Sequence, residues 1–199
     1  NNEETINLVK KFIASNQRKR RNLVNDIESS AESLYIVGEE IINNVDREGD
    51  DWCIGWVLQV LKKYKPNFFD KDIYNNWYYT KSGINLNYDN LQLNLLKQNF
   101  EEADRLTSAY LRKLAGKVAE NRGYVFYSEV KDMPDEDLVT IDRLWNIYSQ
   151  GKFGFSNQAK LLKSVGKRYD LLWPKIGWKK DGIWTRYPTS FCWSLKAPE

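Results

Sequence analysis

The segment from Met133 to Ser156 constrains the fold of this chain more strongly than any other stretch. Pro134 suits the first residue of a helix, because its missing N–H would have no partner there. Three carboxylates follow in the first turn, where the positive end of the helix dipole favours negative charge. Apolar side chains then recur at helical spacing, namely Leu138, Ile141, Leu144, Trp145 and Tyr148. The pattern predicts a buried amphipathic helix that ends at Gly151.

A short aromatic loop follows this helix. Phe153 and Phe155 alternate around Gly154, and Ser156 is placed to cap a further helix that begins near Asn157. A buried helix joined to a rigid aromatic loop can hold a flat ligand. Core packing is nevertheless the favoured interpretation of any single ring, because most aromatic side chains serve burial.

Helical periodicity recurs on both sides of this segment. Residues 1–65 are typical of a small helical bundle centred on the largely apolar helix that begins at Trp52. Residues 67–89 are interpreted as a connection, with a short helix near Ile73–Tyr79 that packs onto the body. From Asp89 the pattern predicts a helical hairpin. We therefore predict an all-α fold with an N-terminal bundle and connection at 1–85 and a C-terminal core at 86–199.

Composition excludes several classes of function. Histidine is absent from all 199 residues, which excludes histidine-dependent catalytic triads and histidine-ligated metals. Cys53 and Cys192 are interpreted as two buried, reduced thiols, with a disulfide as the less favoured alternative, and they are too few for a cysteine-rich metal site. Paired carboxylates stand at predicted helix starts, and neither a glycine-rich phosphate loop nor a G-x-S-x-G motif occurs. We predict no metal site and no enzymatic activity.

Residues 174–193 combine large rings with basic side chains between Pro and Gly residues. Such a segment suits a planar anionic ligand, with rings stacking on its face and cations pairing with its carboxylates. It also suits single-stranded nucleic acid, and a surface loop that covers the core is equally compatible. The basic run 18–21 is interpreted as a solvated face or turn, with phosphate or RNA contact as the less favoured alternative.

Three ordered blocks resemble the Genomes Uncoupled Four family, whose members are porphyrin-binding regulators of magnesium chelatase. The blocks read EADRLT at 102–107, DLVTIDRLWNIYSQGKFGFSNQ at 137–158 and LWPKIGWKKDGIWTRYP at 172–188. The resemblance covers about residues 91–199, and residues 1–85 fit the N-terminal helical domain of cyanobacterial and plastid-encoded members. It implies a helical core shaped like a cupped hand that binds protoporphyrin IX and Mg-protoporphyrin IX, and in some members linear bilins. It also implies stimulation of magnesium chelatase through the large porphyrin-binding subunit.

The resemblance implies where the ligand would bind. One wall is the loop 174–188 and the other is the region 119–127, while the two Phe residues of the GKFGFS motif support the floor. Trp184 is the expected ring contact, and we add Arg186 and Arg122 as partners for the propionates. The complete set of predicted ligand-binding residues is Arg122, Phe126, Tyr127, Phe153, Phe155, Trp178, Trp184, Arg186, Tyr187 and Phe191.

Two departures from the family pattern bear on this site. The family continues past Ala197 and Pro198 into a Gly-His-Leu-Pro segment and a tail with functional basic residues. We expect this chain to lack that segment and that tail, and with them part of the site. Ser108 stands where related sequences carry an Arg near the pocket.

The resemblance also implies the setting in which the protein works. We expect a monomer in the chloroplast stroma, or in the cytoplasm of a cyanobacterium, with no required cofactor and no nucleic-acid partner. Peripheral membrane association stays open. The alternative from another class is a basic, aromatic module that binds single-stranded RNA, and its affinity would fall steeply with salt.

Overall fold

The computed structural model describes residues 1–71 and 74–197, and these ranges contain eleven α-helices and one two-stranded ribbon. The all-α prediction is thereby confirmed. The helices are α1 (Asn2–Ala14), α2 (Gln17–Ser29), α3 (Ala31–Asn43), α4 (Trp52–Tyr64), α5 (Asp89–Leu96), α6 (Phe100–Leu114), α7 (Lys117–Arg122), α8 (Tyr127–Val130), α9 (Asp135–Ile147), α10 (Phe155–Ser164) and α11 (Tyr169–Lys175). The antiparallel strands are β1 (Lys179–Lys180) and β2 (Ile183–Trp184), and a 3₁₀ turn spans Pro66–Phe69. Within the described ranges, none of the helices is both long and apolar enough to cross a membrane.

Helix α4 is the buried centre of the N-terminal helices, as its sequence predicts. Every residue from Trp52 to Leu61 is buried. The Asp51 carboxylate caps the helix by accepting the Cys53 N–H at 3.0 Å. A side chain larger than hydrogen at Gly55 would collide with the Ile147 carbonyl, so this glycine lets α4 and α9 approach closely.

The apolar core continues across the predicted boundary at residue 85. One cluster of buried side chains extends from Val9 in α1 to Tyr148 after α9. The buried Gln59 side chain of α4 donates to the Leu95 carbonyl at 2.9 Å and to the Tyr148 carbonyl at 2.7 Å. These contacts join the two halves, and the division into 1–85 and 86–199 stays a prediction.

The connection between the halves packs onto the body, as predicted. Tyr74, Trp77 and Tyr78 are buried. The prediction of a short helix near residues 73–79 includes Ile73, which lies outside the described residues. The Arg47 guanidinium holds this segment against the body by donating a hydrogen bond to the Trp77 carbonyl at 2.6 Å.

Helix α9 forms in the predicted segment, but it ends at Ile147 rather than at Gly151, and the capping of α10 also differs. Pro134 is the N-cap residue and α9 begins at Asp135. Helix α10 begins at Phe155 with Gly154 as its N-cap, so Ser156 does not cap it. Instead, the Asp142 carboxylate of α9 accepts the Ser156 N–H at 3.0 Å. A carboxylate from the preceding helix thus replaces the expected local hydroxyl and fixes the angle between α9 and α10.

Candidate functional site

A cavity of about 1410 Å³ lies between α6, the α9–α10 junction and residues 174–197. This volume exceeds the usual upper range of about 1,000 Å³ for small-molecule pockets. Its walls come from three parts of the chain that are distant in sequence, and the larger share of the lining is aromatic or aliphatic. The cavity therefore has room for a large, mostly apolar ligand.

The floor of the cavity is a fixed aromatic cluster. Phe100 of α6 and Trp145 of α9 stack at 6.0 Å, and Phe153 meets both rings edge-on. The Trp145 Nε1–H donates to the Thr107 hydroxyl at 2.9 Å, and that hydroxyl donates to the Ala103 carbonyl at 2.8 Å. Because the indole is held by this chain of hydrogen bonds, the floor cannot rotate freely.

The roof is built from α11, the ribbon and the segment that follows it. Trp173 and Trp178 stack in parallel planes at 5.4 Å, and Trp184 lies 5.9 Å from Trp173. Lys179 lies over the Trp184 ring at 5.2 Å. Trp184 keeps 58% of its surface exposed. A hollow thus lies beneath residues 174–193, and these rings do not serve simply to cover the core.

Several cations line the cavity, but they differ in their pairing. Arg105 is bound to Glu102 at 2.6 Å, and the Lys152 ammonium donates to the Leu195 carbonyl at 3.0 Å. Among the described residues, four lining cations have side chains without a hydrogen bond or an ion pair. The Lys179 ammonium lies over the Trp184 ring, which leaves Arg112, Lys180 and Arg186 with neither a ring contact nor a bonded partner. These three are the groups best able to pair with an anionic ligand.

One carboxylate in the cavity wall has a distinct environment. Asp104 accepts a hydrogen bond from the Tyr187 hydroxyl at 2.8 Å. Burial raises the pKa of Asp104 although this hydrogen bond opposes the rise. Burial, followed by the bond to Asp104, raises the pKa of Tyr187 to about 12. The pair links α6 to the segment after β2 across the cavity wall.

The structure brings together seven of the ten predicted ligand-binding residues. The lining includes Phe153, Phe155, Trp178, Trp184, Arg186, Tyr187 and Phe191. It also includes Ser108, the position where an Arg was expected. A ligand-binding role for each of them stays a prediction, but their convergence on one hollow is a finding of the structure.

The other three predicted residues, Arg122, Phe126 and Tyr127, are not part of the cavity lining. The Arg122 guanidinium lies over the Phe126 ring at 4.0 Å and donates to the Tyr124 carbonyl at 2.8 Å. Its charge is bound to Glu129. The structure therefore does not place region 119–127 in the cavity wall: this region closes on itself through local contacts, and Tyr127 is 94% exposed. A ligand-binding role for these three residues stays a prediction.

Sequence reasoning missed the contribution of α6 to the cavity. Phe100, Asp104, Ser108 and Arg112 recur at intervals of four and all line it. Residues four apart lie on one face of a helix, so this spacing was the available signal. It was overlooked because the apolar residues of the same helix explain a hairpin partner equally well.

Among residues 1–71 and 74–197, no group of three or more His, Cys, Asp or Glu side chains is arranged to hold a metal ion. Both cysteines are free thiols, and Cys53 is buried as predicted. The prediction of burial is wrong for Cys192, which is exposed in the cavity lining. The absence of a metal site from this protein stays a prediction. What the arrangement offers a ligand is stacking surface and cationic side chains.

A protein-family model described as GUN4-like matches residues 81–199. The chain belongs to this family. GUN4 stands for Genomes Uncoupled Four, the family that the three sequence blocks resemble. The relatives support a member of the cyanobacterial and plastid type. A Ycf53-like protein of Synechocystis is 37% identical over 168 residues, which cover 82% of this chain and 72% of that protein.

Two further relatives extend the comparison to eukaryotes. A ycf53 protein of the alga Pyropia yezoensis is 41% identical over 118 residues, covering 59% of this chain and 50% of the relative. A protein of Arabidopsis thaliana named a chloroplastic tetrapyrrole-binding protein is 38% identical over 115 residues, covering 54% and 43%. The chain thus spans between about two fifths and three quarters of the length of these relatives.

Solved structures of GUN4 share the fold. The structure from Chlamydomonas reinhardtii matches with a TM-score of 0.59 and 32% identity, covering 62% of this chain and 81% of that one. The ligand-free structure from Arabidopsis thaliana matches with a TM-score of 0.52 and 39% identity, covering 57% and 80%. The GUN4 fold is therefore established for this chain from two directions, the family model and the structures.

Proposed function

We propose that this chain is a non-enzymatic regulator that binds protoporphyrin IX and Mg-protoporphyrin IX in the cavity beneath residues 174–193. The observation that carries the proposal is the hollow itself, which lies between two layers of aromatic rings and has unpaired arginines in its wall. A flat macrocycle would bury both faces against rings, where apolar burial and stacking contribute most of the affinity. A linear bilin satisfies the same requirements.

Charge pairing supplies the second part of the interaction. A porphyrin of this type carries two propionates on one edge, and Arg112 and Arg186 line the cavity without a partner among the described residues. Arginine pairs with carboxylates through two parallel hydrogen bonds. We therefore place the propionate edge of the ligand at these guanidinium groups.

Release of the ligand matters as much as its capture in a regulator that passes it on. Because the chain has no histidine, a bound Mg-porphyrin lacks the common strong axial ligand. Affinity then depends on ring burial and propionate pairing. We propose that the protein presents its ligand to the large porphyrin-binding subunit of magnesium chelatase and stimulates magnesium insertion, in a plastid stroma or a cyanobacterial cytoplasm.

A titration with protoporphyrin IX tests the binding step. Addition of the porphyrin should quench tryptophan fluorescence saturably and shift the porphyrin's Soret band, because Trp178 and Trp184 of the roof line the cavity. Affinity should change by less than about threefold between low and moderate salt, since ring burial dominates. The Arg112→Gln variant should weaken binding, and Lys131→Gln, an exposed cation outside the cavity, serves as its control. Titrations without saturation or a spectral shift would contradict the proposal.

The RNA-binding alternative makes the opposite forecast. The affinity of the protein for a single-stranded oligoribonucleotide would fall steeply as salt rises, because lysine and arginine side chains that neutralise phosphates release counterions on binding. Tight, salt-sensitive binding of the oligoribonucleotide without porphyrin binding would replace the proposed function by this alternative.

The regulatory step needs a separate assay. Magnesium chelatase subunits supplied with protoporphyrin IX should insert magnesium faster when this protein is added, and more slowly again when Arg112→Gln replaces the wild type. An unchanged rate with a protein that demonstrably binds porphyrin would retain the binding proposal and reject the regulatory one.

A further inference from the structure

One face of α6 forms a straight strip along the cavity wall. Asp104, Ser108 and Arg112 are spaced by four residues and all line the cavity. At a rise of about 1.5 Å per residue, the two ends of this strip are about 12 Å apart along the helix. The strip therefore runs along much of one side of a flat ligand.

The two ends of the strip carry opposite charges. The Arg112 side chain lines the cavity and has no hydrogen bond or ion pair among the described residues, although its charge acts on Tyr187 by opposing the rise in that hydroxyl's pKa. Asp104 accepts a hydrogen bond from the uncharged Tyr187 hydroxyl, and among the described residues no cation forms an ion pair with it. Ser108 between them is small and neutral. The strip thus has a cationic end, a neutral middle and an anionic end.

We propose that this strip selects the ligand by the arrangement of its carboxylates. The carboxylate edge of a bound macrocycle lies at the Arg112 end, and the uncharged edge lies at the Asp104–Tyr187 end. The proposal rests on the proposed porphyrin-binding function and deepens it. It assigns to this protein the class of macrocycles whose carboxylates are confined to one edge, and it makes Asp104 a specificity-determining residue.

Like charges in a poorly solvated wall explain the selection. Burial already raises the pKa of Asp104, so solvent screens its charge weakly at this position. A ligand with carboxylates on both edges must bring one of them towards Asp104 whichever way it enters, and repulsion between two such charges is large where screening is weak. A ligand with one uncharged edge avoids this repulsion. Discrimination of this kind works by penalising the wrong partner.

Tyr187 keeps the carboxylate in place. Its ring lies edge-on to Phe191 at 5.4 Å and to Trp193 at 6.1 Å, which fixes the direction of its hydroxyl. The hydrogen bond to Asp104 joins residues 83 positions apart in the chain. Tyr187 therefore positions Asp104 and closes the anionic end of the strip.

Parallel fluorescence titrations with two porphyrins test the inference. The probes are protoporphyrin IX, with two carboxylates on one edge, and coproporphyrin III, with four carboxylates distributed around the ring. The wild type should bind coproporphyrin III at least about tenfold more weakly. Asp104→Asn, which keeps the shape but removes the charge, should narrow this ratio by about threefold or more. Asp132→Asn, an exposed aspartate outside the cavity, should leave the ratio unchanged.

A second variant guards against a trivial loss of structure. Tyr187→Phe removes the hydrogen bond but keeps the ring and the Asp104 charge, so coproporphyrin III should still be disfavoured. Equal ratios in wild type and Asp104→Asn, with protoporphyrin IX bound by both, would overturn this inference alone. Failure of the wild type to bind protoporphyrin IX would overturn the proposed function and this inference together.

Discussion

The Arg122 guanidinium lies 2.6 Å from the Glu129 carboxylate, and this ion pair closes a turn between α7 and α8 outside the cavity lining. Glu129 also accepts the Phe126 N–H at 2.7 Å. The hydrogen bond from Arg122, followed by that from the Phe126 N–H, holds the pKa of Glu129 below its usual range. Arg122 therefore has a structural role that its sequence position did not reveal, and Arg112 takes its place among the candidate propionate partners.

This exchange of roles predicts contrasting effects for two arginines. Arg112→Gln should weaken protoporphyrin IX binding by roughly fivefold, about 1 kcal/mol for a partly exposed charge-assisted pairing. Arg122→Gln should change the affinity by less than about twofold, because its charge is already committed to Glu129. Both dissociation constants come from the same fluorescence titration. A larger loss in Arg122→Gln than in Arg112→Gln would contradict the placement.

Trp184 should contribute to ligand binding and little to folding. It is more than half exposed and lies against Trp173 and Lys179 rather than in the core. Trp184→Ala should weaken protoporphyrin IX binding by roughly tenfold through lost ring contact, with the melting temperature by circular dichroism within about 2 °C of wild type. Tyr127→Ala, which removes an exposed ring outside the cavity, should change neither quantity. Collapse of the helical signal in Trp184→Ala would show instead that this ring is part of the core.

The charge of Asp104 should make stability depend on pH. Because burial raises the pKa of Asp104 above its unfolded value, the native state binds its proton more tightly than the unfolded state does. Protonated Asp104 therefore contributes favourably to the free energy of unfolding below the ordinary Asp pKa of about 3.9, and this contribution is lost as pH rises through the raised pKa. Asp104→Asn should therefore melt at or above the wild-type temperature at pH 7, with this advantage shrinking towards pH 3.5. A growing advantage at low pH would contradict the sign.

Metal-free and magnesium-containing porphyrin should bind with comparable affinity. The chain has no histidine to ligate the metal, and ring burial is the same for both ligands. Dissociation constants for protoporphyrin IX and Mg-protoporphyrin IX should agree within about tenfold in fluorescence-quenching titrations. A preference of a hundredfold or more for the magnesium form would contradict this expectation and would indicate that a protein group ligates the metal.

Gly154 should be the glycine on which the position of α10 depends. Its φ is +120°, and a Cβ there would lie 2.5 Å from the Asp142 carboxylate that accepts the Ser156 N–H. Gly154→Ala should lower the free energy of unfolding by about 2–3 kcal/mol through backbone strain and loss of this cap. Gly166→Ala has a φ of +66° and open space around it, so it should cost only about 1 kcal/mol. Equal losses in urea titrations of the two variants would refute the role of Asp142.

Helical periodicity was sufficient to predict the longer helices of this protein, but not the short helices α7 and α8. The stripe from Leu138 to Tyr148 and the apolar run from Trp52 to Leu61 both form buried helices near the predicted bounds. These predictions succeed because the period of an apolar pattern is a local property that determines which face of a helix is buried. The resemblance to the GUN4 family also depends on local information, namely on three short blocks of sequence.

The candidate site was predictable only in part. The rings at 153–155 and 178–187 stand in the family motifs, and together with Phe191 they converge on one cavity. Asp104 and Arg112 are not among the predicted residues, because their spacing by four places them on one face of α6 but does not show that this face turns towards the ribbon. Ser156 was misread as a cap because the group that caps α10 comes from Asp142, fourteen residues away.

The sequence alone determined the all-α class, the buried centre at α4 and the aromatic, histidine-free chemistry available to a ligand. Only the tertiary structure decided which cations stay unpaired, that Arg122 belongs to Glu129, and that a hollow lies beneath the roof. The reason is physical. Periodicity and composition act between residues that are near in the chain, whereas an ion pair or a cavity depends on where distant segments meet.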